Sequence, residues 1–430
     1  LLTPTLAING TPPPSSGDWV VEAGNVTVVE GEEIVVNGSV LVYGTLVLKN
    51  SVVYVNCTYS EEYTVRVYEG GNLTLVNSTL RALNPKYQLS LYAYEGSVLS
   101  AENSLLEYVY YAFIGADNAE FFNCTVQHSG YFSLACQGAI VNSCCFYNCS
   151  CGLQASEASQ ITVEYSKFVS CEGGIAIWQS SDVFVYGCEL RDNVMGAIVS
   201  NSSYVTFSEC RLYDDVVVLV DLTRAQASTL TFENCCVNDL PLHYIYGQAG
   251  IAVEGGYGEV ILAACSDVDV AGSCYCVEAY LCDRVTINEV RCYKLEFGAI
   301  AVNSTHVTVR YGTFDHALAG IIVALCEQVS VEQCNCTDCL QRGLYMDSVS
   351  NCTVVECVFE DNQYGIYMDN CYNCLVTRCT FENNFYGLYA CDVEGGLFYL
   401  NNFIDNSYHC LLYTSDAADD GESVDLGGRR

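Results

Sequence analysis

Basic side chains are the scarcest feature of this 430-residue chain: 16 lysines and arginines stand against 51 acids, for a net charge of −35, and only Lys49, Lys86, Lys167 and Lys294 are lysine. A surface this acidic repels polyanions, which disfavours nucleic acid and anionic membranes as partners. No run of about 18 consecutive apolar residues occurs, so no stretch of this sequence reads as a membrane-spanning helix. Helical periodicity is also missing, which excludes a βαβ architecture. Hydrophobic residues make up 51% of the chain, too many for a disordered polypeptide.

What the chain does have is a repeat. Cys357, Cys379 and Asn401 are 22 residues apart, as are Asn362, Asn384 and Asn406, and Gly365 and Gly387. The same spacing of 22 links Ser166 to Cys188 and Cys210, and Gly152 to Gly174 and Gly196. Within one unit, Val183 to Leu190 alternates apolar and polar residues, a polar corner follows at Arg191, Asp192 and Asn193, and Gly196 to Val199 begins another short strand. Short strands separated by corners bury their inner faces by stacking turn upon turn, so the expected fold is all-β, a single-stranded right-handed parallel β-helix of roughly 16 turns. The reading places Asn50, Asn77, Asn103 and Cys124 in one strand-end column, and Cys210, Cys235, Cys265 and Val290 in its continuation. Longer spacings there are corner insertions.

The word V-x-x-C-x-F-x-x-N-x-x-G-I, spelled from Val354 to Ile366, resembles the right-handed parallel β-helix of the pectin-lyase-like superfamily, including NosD-like members and archaeal surface proteins. The resemblance covers residues 24–409 and carries the fold, while the functions it implies range from lyases, hydrolases and epimerases to adhesins and spacers. Residues 1–23 read as a leader remnant or linker. Residues 410–430 resemble a translated sequencing adaptor and read as a non-native tail.

Cysteine is abundant, at 28 residues. Cys188, Cys210, Cys357 and Cys379 fall at the inward position, where stacked small thiols or bridges between neighbouring turns are expected. The clusters Cys274-x-Cys276, Cys334-x-Cys336-x-x-Cys339 and Cys371-x-x-Cys374 lack the paired four-ligand spacing of a zinc motif, and no metal site is assigned to them. Twelve N-x-Ser/Thr sequons, from Asn9 to Asn351, together with the cysteines favour an extracellular or cell-surface glycoprotein with disulfides.

One constellation points to a site. After the glycine column, the position read as outward-facing holds Gln154, Ala176, Ala197, Ala299 and Ile322, then switches to Tyr345, Tyr367 and Tyr389, with Asp347 and Asp369 two residues beyond the first two. Tyrosines one turn apart suit the apolar faces of successive sugar rings, so Tyr345, Tyr367 and Tyr389 are the candidate ligand-binding residues. Asp347 and Asp369 are the candidate catalytic pair, and calcium is the one ion they would accommodate; no other cofactor is expected. The structural alternative is cross-strand stacking, which the second column Tyr364, Tyr386 and Tyr408 favours. The superfamily's Asn-Thr-Asp, Gly-His-Gly and Arg-x-Lys words are absent. His128, His243, His306 and His316 show no repeat-matched carboxylate, and Asp214-Asp215 reads as a turn pair. The expectation is a non-enzymatic adhesin, envelope or carbohydrate-binding protein whose partner is a polysaccharide or envelope component. The alternative is a polysaccharide lyase or glycoside hydrolase. The pattern fixes no oligomeric state.

Overall fold

The computed structural model describes residues 8–272 and 274–413. Residues 1–7 of the expected leader and 414–430 of the expected tail lie outside them. The chain divides into two compact units, Leu1–Cys235 and Cys236–Arg430, and each is a right-handed coil of parallel strands.

In the first unit one sheet of ten strands runs from Trp19–Val21 to Val217–Val220. A second runs from Val26–Glu30 to Thr231–Glu233, and a third, of shorter strands, from Glu33–Val36 to Arg211–Tyr213. Ile161 pairs with Val183 and Val183 with Val205, so the 22-residue repeat is one turn of the coil. The coil takes in Trp19, ahead of the boundary expected at residue 24, and Ile8–Asn9 adds an antiparallel strand against Val28 and Val29. Arg224–Ala227, a four-residue helix in a lengthened corner, is the only helix among the described residues; Thr223 caps it.

The second unit opens differently. Its first two turns are only 17 residues long, as the pairings Leu242 to Glu259 and Glu259 to Cys276 show, and they lack the third short strand, which first appears at Arg291–Tyr293. From Val277 onward the 22-residue turn returns, with one turn of 23 where Ala319 pairs with Arg342. These short turns, together with the first turn ahead of Asn50, bring the total to about 18 rather than 16. They also correct the column of Cys265, which stacks on Cys282 and not between Cys235 and Val290. The last strand, Tyr408–Tyr413, pairs with Tyr386–Cys391 and crosses the boundary drawn at Cys410.

The corners follow one rule. An outward residue takes the left-handed conformation, as Asn50, Asn77, Asn103 and Asn123 do at φ 47–49°. Asparagine tolerates that region better than branched residues. The next residue turns inward, and the backbone N–H there has no partner in its own turn. A small polar side chain from the following turn accepts it: Ser51 N–H donates to Ser78 Oγ, Ser78 N–H to Ser104 Oγ, and Cys144 N–H to Ser166 Oγ at 3.1–3.2 Å. Cys124 N–H donates to Cys144 Sγ at 3.4 Å, so Cys124 belongs with these serines and one position past the asparagines. Cysteine, serine and asparagine alternate in one column because each supplies a compact acceptor to a buried donor.

Glycine columns have a steric cause. A Cβ on Gly174 would lie 2.5 Å from the Gly196 carbonyl oxygen, and one on Gly365 2.5 Å from that of Gly387 and 2.9 Å from the Phe381 ring. The space is filled by phenylalanine stacks: Phe146 lies 4.9 Å from Phe168, and Phe381 is 5.3 Å from Phe359 and 4.8 Å from Phe403. Each of the fully buried rings, Phe146, Phe168, Phe359 and Phe381, contributes about 2–3 kcal/mol of apolar burial.

Candidate functional site: a tyrosine face with an acidic edge

The sheet of the second unit that ends at Tyr408–Tyr413 carries the candidate residues. In Arg342–Asp347, Tyr364–Asp369 and Tyr386–Cys391 the period-two pattern turns Leu344, Met346, Ile366, Met368 and Leu388 inward, all buried, and leaves Tyr345, Tyr367 and Tyr389 on the outer surface. Tyr345 pairs with Tyr367 and Tyr367 with Tyr389 in register. Their ring centroids stand 5.6 and 4.9 Å apart, the second pair stacked within 13° of parallel. In the earlier turns of this sheet the column continues through Ile322 and Ile300, with Ala299 facing inward, and in the first unit it is Ile198, not Ala197, that pairs with Ala176, so both alanines lie one position off the expected alignment.

Beside it, Tyr364, Tyr386 and Tyr408 stack at 4.9 and 5.0 Å. The two columns interlock edge to face: Tyr364 meets Tyr367 at 5.3 Å and 84°, and Tyr386 meets Tyr389 at 5.8 Å and 73°. Arg342 closes one end, its guanidinium 4.6 Å from the Tyr345 ring and 5.0 Å from Tyr367. At the other, Phe385 and Tyr408 remain 49% and 51% exposed. Partial burial first, and then the neighbouring carboxylates Asp347 and Asp369, raise the phenol pKa values of Tyr345 and Tyr367, so both rings stay neutral hydrogen-bond donors at physiological pH.

Asp347 and Asp369 are register partners along the edge of this face. Ser348 Oγ donates to Asp347 at 3.0 Å. Three potential metal ligands, Asp369, Cys391 and Asp392, converge to within 4.8 Å of one another, and Asp347 is not among them. Two carboxylates and a thiol do not match the all-oxygen shell of calcium.

Elsewhere the structure departs from expectation. His306 Nδ1 lies 2.9 Å from Asp283, which also accepts from Thr305, and His316 Nδ1 lies 2.6 Å from Asp315, so both histidines do have carboxylate partners. The sequence hid the Asp283 contact because it joins neighbouring turns one position out of column. Asp215 is no surface turn residue: it is fully buried and accepts from the backbone and side chain of Asn193. Of the cysteine clusters, Cys274, Cys276, Cys334, Cys336, Cys339 and Cys371 are buried free thiols. Cys374 bridges to Cys352 in the preceding turn, Cα to Cα 4.6 Å, the single disulfide among the described residues. No helix among those residues is long and apolar enough to cross a membrane.

Among solved structures the chain is similar to a tailspike protein double mutant of E. coli bacteriophage HK620, at 11% identity, 82% of this chain, 72% of that one and a TM-score of 0.32. It is also similar to the A-module of the Azotobacter vinelandii mannuronan C-5 epimerase AlgE4, at 11% identity, covering 94% and 91%, TM-score 0.21. A third is PfbA, a surface adhesin of Streptococcus pneumoniae, at 9% identity, covering 90% and 82%, TM-score 0.25. Likenesses this distant assign no activity. No curated protein matches the chain. The family described as "right handed beta helix region" matches residues 20–182, 110–267 and 249–407, and the chain, coiled as its repeat requires, belongs to that family.

Proposed function

We propose that this is a secreted or cell-surface β-helix that binds polysaccharide through the face made by Tyr345, Tyr367 and Tyr389, acting as an adhesin, envelope or carbohydrate-binding protein without catalysis. The observation that carries the reading is the column of tyrosines repeating at 4.9–5.6 Å, with carboxylates along one edge. That repeat is close to the rise of an extended glycan, and the rings offer apolar faces to sugar C–H groups while Asp347 and Asp369 accept from hydroxyls. The acidic surface steers the choice of ligand toward neutral or cationic glycans.

A rival reading, a lyase or hydrolase using Asp347 and Asp369, draws on their pairing in adjacent turns. Glycan-array binding and depolymerisation assays on wild type, Tyr367→Ala and Asp369→Ala separate the two. The binding reading expects retention of a polysaccharide that falls roughly tenfold in Tyr367→Ala, with no chain cleavage. Cleavage by the wild type that disappears in Asp369→Ala establishes the enzyme instead, and absence of any bound glycan overturns both.

A further inference from the structure

The first unit contains a groove that the tyrosine face does not explain. One turn there is lengthened: Thr79 pairs with Leu105, 26 residues on, whereas Leu105 pairs with Thr125 and Thr125 with Cys145, each 20 on. The extra residues form the turn around Asn84 and Pro85, held by Tyr87 N–H to Asn84 O at 3.0 Å, and they stand as a wall over the next corners. Under that wall is a groove of about 320 Å³, bounded by Pro85 and Gln88 on one side, Tyr108 and His128 along the floor, and Asn148 and Glu172 at the far end.

The floor is a ring platform. Tyr108, His128 and Asn148 occupy successive left-handed corners at φ 57°, 51° and 52°, so their side chains are set by the coil and not by loop conformation. Tyr108 and His128 lie 5.6 Å apart and within 16° of parallel, with the Arg81 guanidinium 5.1 Å from the Tyr108 ring and Tyr147 edge-on to His128 at 5.8 Å, so the pair turns its ring edges to the groove. Asn148 Nδ2 donates to His128 Nδ1 at 2.9 Å, which holds the neutral imidazole as the Nε2–H tautomer and leaves that donor for a ligand. Gln88 Nε2 donates to the His128 carbonyl at 3.3 Å, tying the wall to the floor. The cation beneath, Arg81, is engaged by Glu107 at 2.7 Å, and Gln127 donates to the same carboxylate at 2.8 Å. The lining of the groove therefore offers ring edges, amides and one carboxylate, while Lys86, next to Pro85 in the wall, lies over the Tyr87 ring.

We propose that this groove binds a neutral oligosaccharide, its sugar rings set against the edges of Tyr108 and His128 and its hydroxyls bonded to His128 Nε2–H, the Gln88 and Asn148 amides and Glu172. Rings plus amides suit a polyol, and the net charge of −35 argues against uronic or phosphorylated sugars. The site does not depend on the tyrosine face of the second unit.

The test is isothermal titration of the full chain, produced without N-glycans so that Asn148 is unmodified, with hexasaccharides of glucose, mannose and galactose. His128→Asn is the informative variant: asparagine keeps the left-handed corner while removing the ring, as Asn148 and Asn123 already do in the same unit. Gln88→Ala is the second variant, which removes the wall amide together with its bond to the His128 carbonyl. Binding of at least one hexasaccharide, weakened roughly fivefold or more in both variants and unchanged in Tyr367→Ala, supports the groove. Affinity unaltered in folded His128→Asn and Gln88→Ala overturns it. So does binding lost only in Tyr367→Ala, which assigns the sugar to the other face, and so does absence of binding to all three.

Discussion

One corner of the coil is built differently in the two units. In the second, Asn362, Asn384 and Asn406 stack in the interior: the backbone N–H and the side-chain amide of Asn362 both donate to Asn384 Oδ1 at 2.9 and 3.0 Å, and those of Asn384 donate to Asn406 in the same way. Each amide also reaches a carbonyl of an earlier turn, Asn384 Nδ2 that of Phe359 at 2.9 Å and Asn406 Nδ2 that of Phe381 at 2.7 Å. In the first unit the corresponding run is Cys149, Cys171, Asn193 and Asp215, and it ends on a carboxyl. Asparagine carries acceptor and donors in one neutral side chain, whereas an ionised aspartate only accepts. Burial drives the Asp215 pKa up to about 7, although the Asn193 hydrogen bonds oppose the shift. The same geometry is thus independent of pH in one unit and pH-sensitive in the other.

The largest break in this comparison is Asn384→Ala. It takes the acceptor from the Asn362 backbone N–H and the donor from the Phe359 carbonyl in the interior and opens a cavity, and a loss of about 4 kcal/mol in urea-unfolding stability is expected. A loss below about 1 kcal/mol would mean that water replaces the ladder.

Next comes the exchange of the two designs. Because Asp215 holds its proton more tightly folded than unfolded, where the ordinary value is 3.8, the native state binds more protons between about pH 4 and 7. Its contribution is fully favourable below that window and is lost as pH rises through it. Asp215→Asn is expected to raise stability by about 3 kcal/mol at pH 8 and to leave it nearly unchanged at pH 4, read from thermal melts across pH. Asn384→Asp should import the opposite behaviour into the second unit. Equal effects of Asp215→Asn at both pH values would contradict the burial account.

Gly365→Ala tests the packing beside the asparagine ladder. With the Gly387 carbonyl 2.5 Å from the new Cβ, a cost of about 2 kcal/mol is expected from denaturant midpoints. The smallest effect belongs to Cys144→Ser, in a column that already holds Ser104 and Ser166: a change under about 1 kcal/mol in the same measurement, since the hydroxyl accepts the Cys124 N–H in place of the thiol.

Much of the fold was legible because each turn repeats the same problem: an inward acceptor, a close glycine and a phenylalanine must recur at the turn length, and Asn362, Gly365 and Phe359 recur visibly with Asn384, Gly387 and Phe381. The turn count fell short where the second unit begins, because 17-residue turns drop a strand and break the phase. The same corner rule also recasts the sequons. Asn77, Asn123, Asn148, Asn201 and Asn303 are left-handed corner residues, each followed by a buried Ser or Cys and then Thr or Ser. The corner itself writes N-x-Ser/Thr, so those five sequons speak to folding before they speak to glycosylation. The tyrosine columns were readable as columns. Their edge-to-face interlock was not, since residues 364 and 367 meet only once the sheet sets their directions.

By itself the sequence determined that the chain coils, where most turns close and which side chains stack, because in-register parallel strands convert a linear period into a spatial column. The tertiary structure alone decided what lies between columns: that Asp215 is buried, that Asp283 meets His306, and that the Pro85 turn overhangs Tyr108 and His128. Contacts of that kind depend on corner geometry and on how far an insertion reaches, and neither has a period to read.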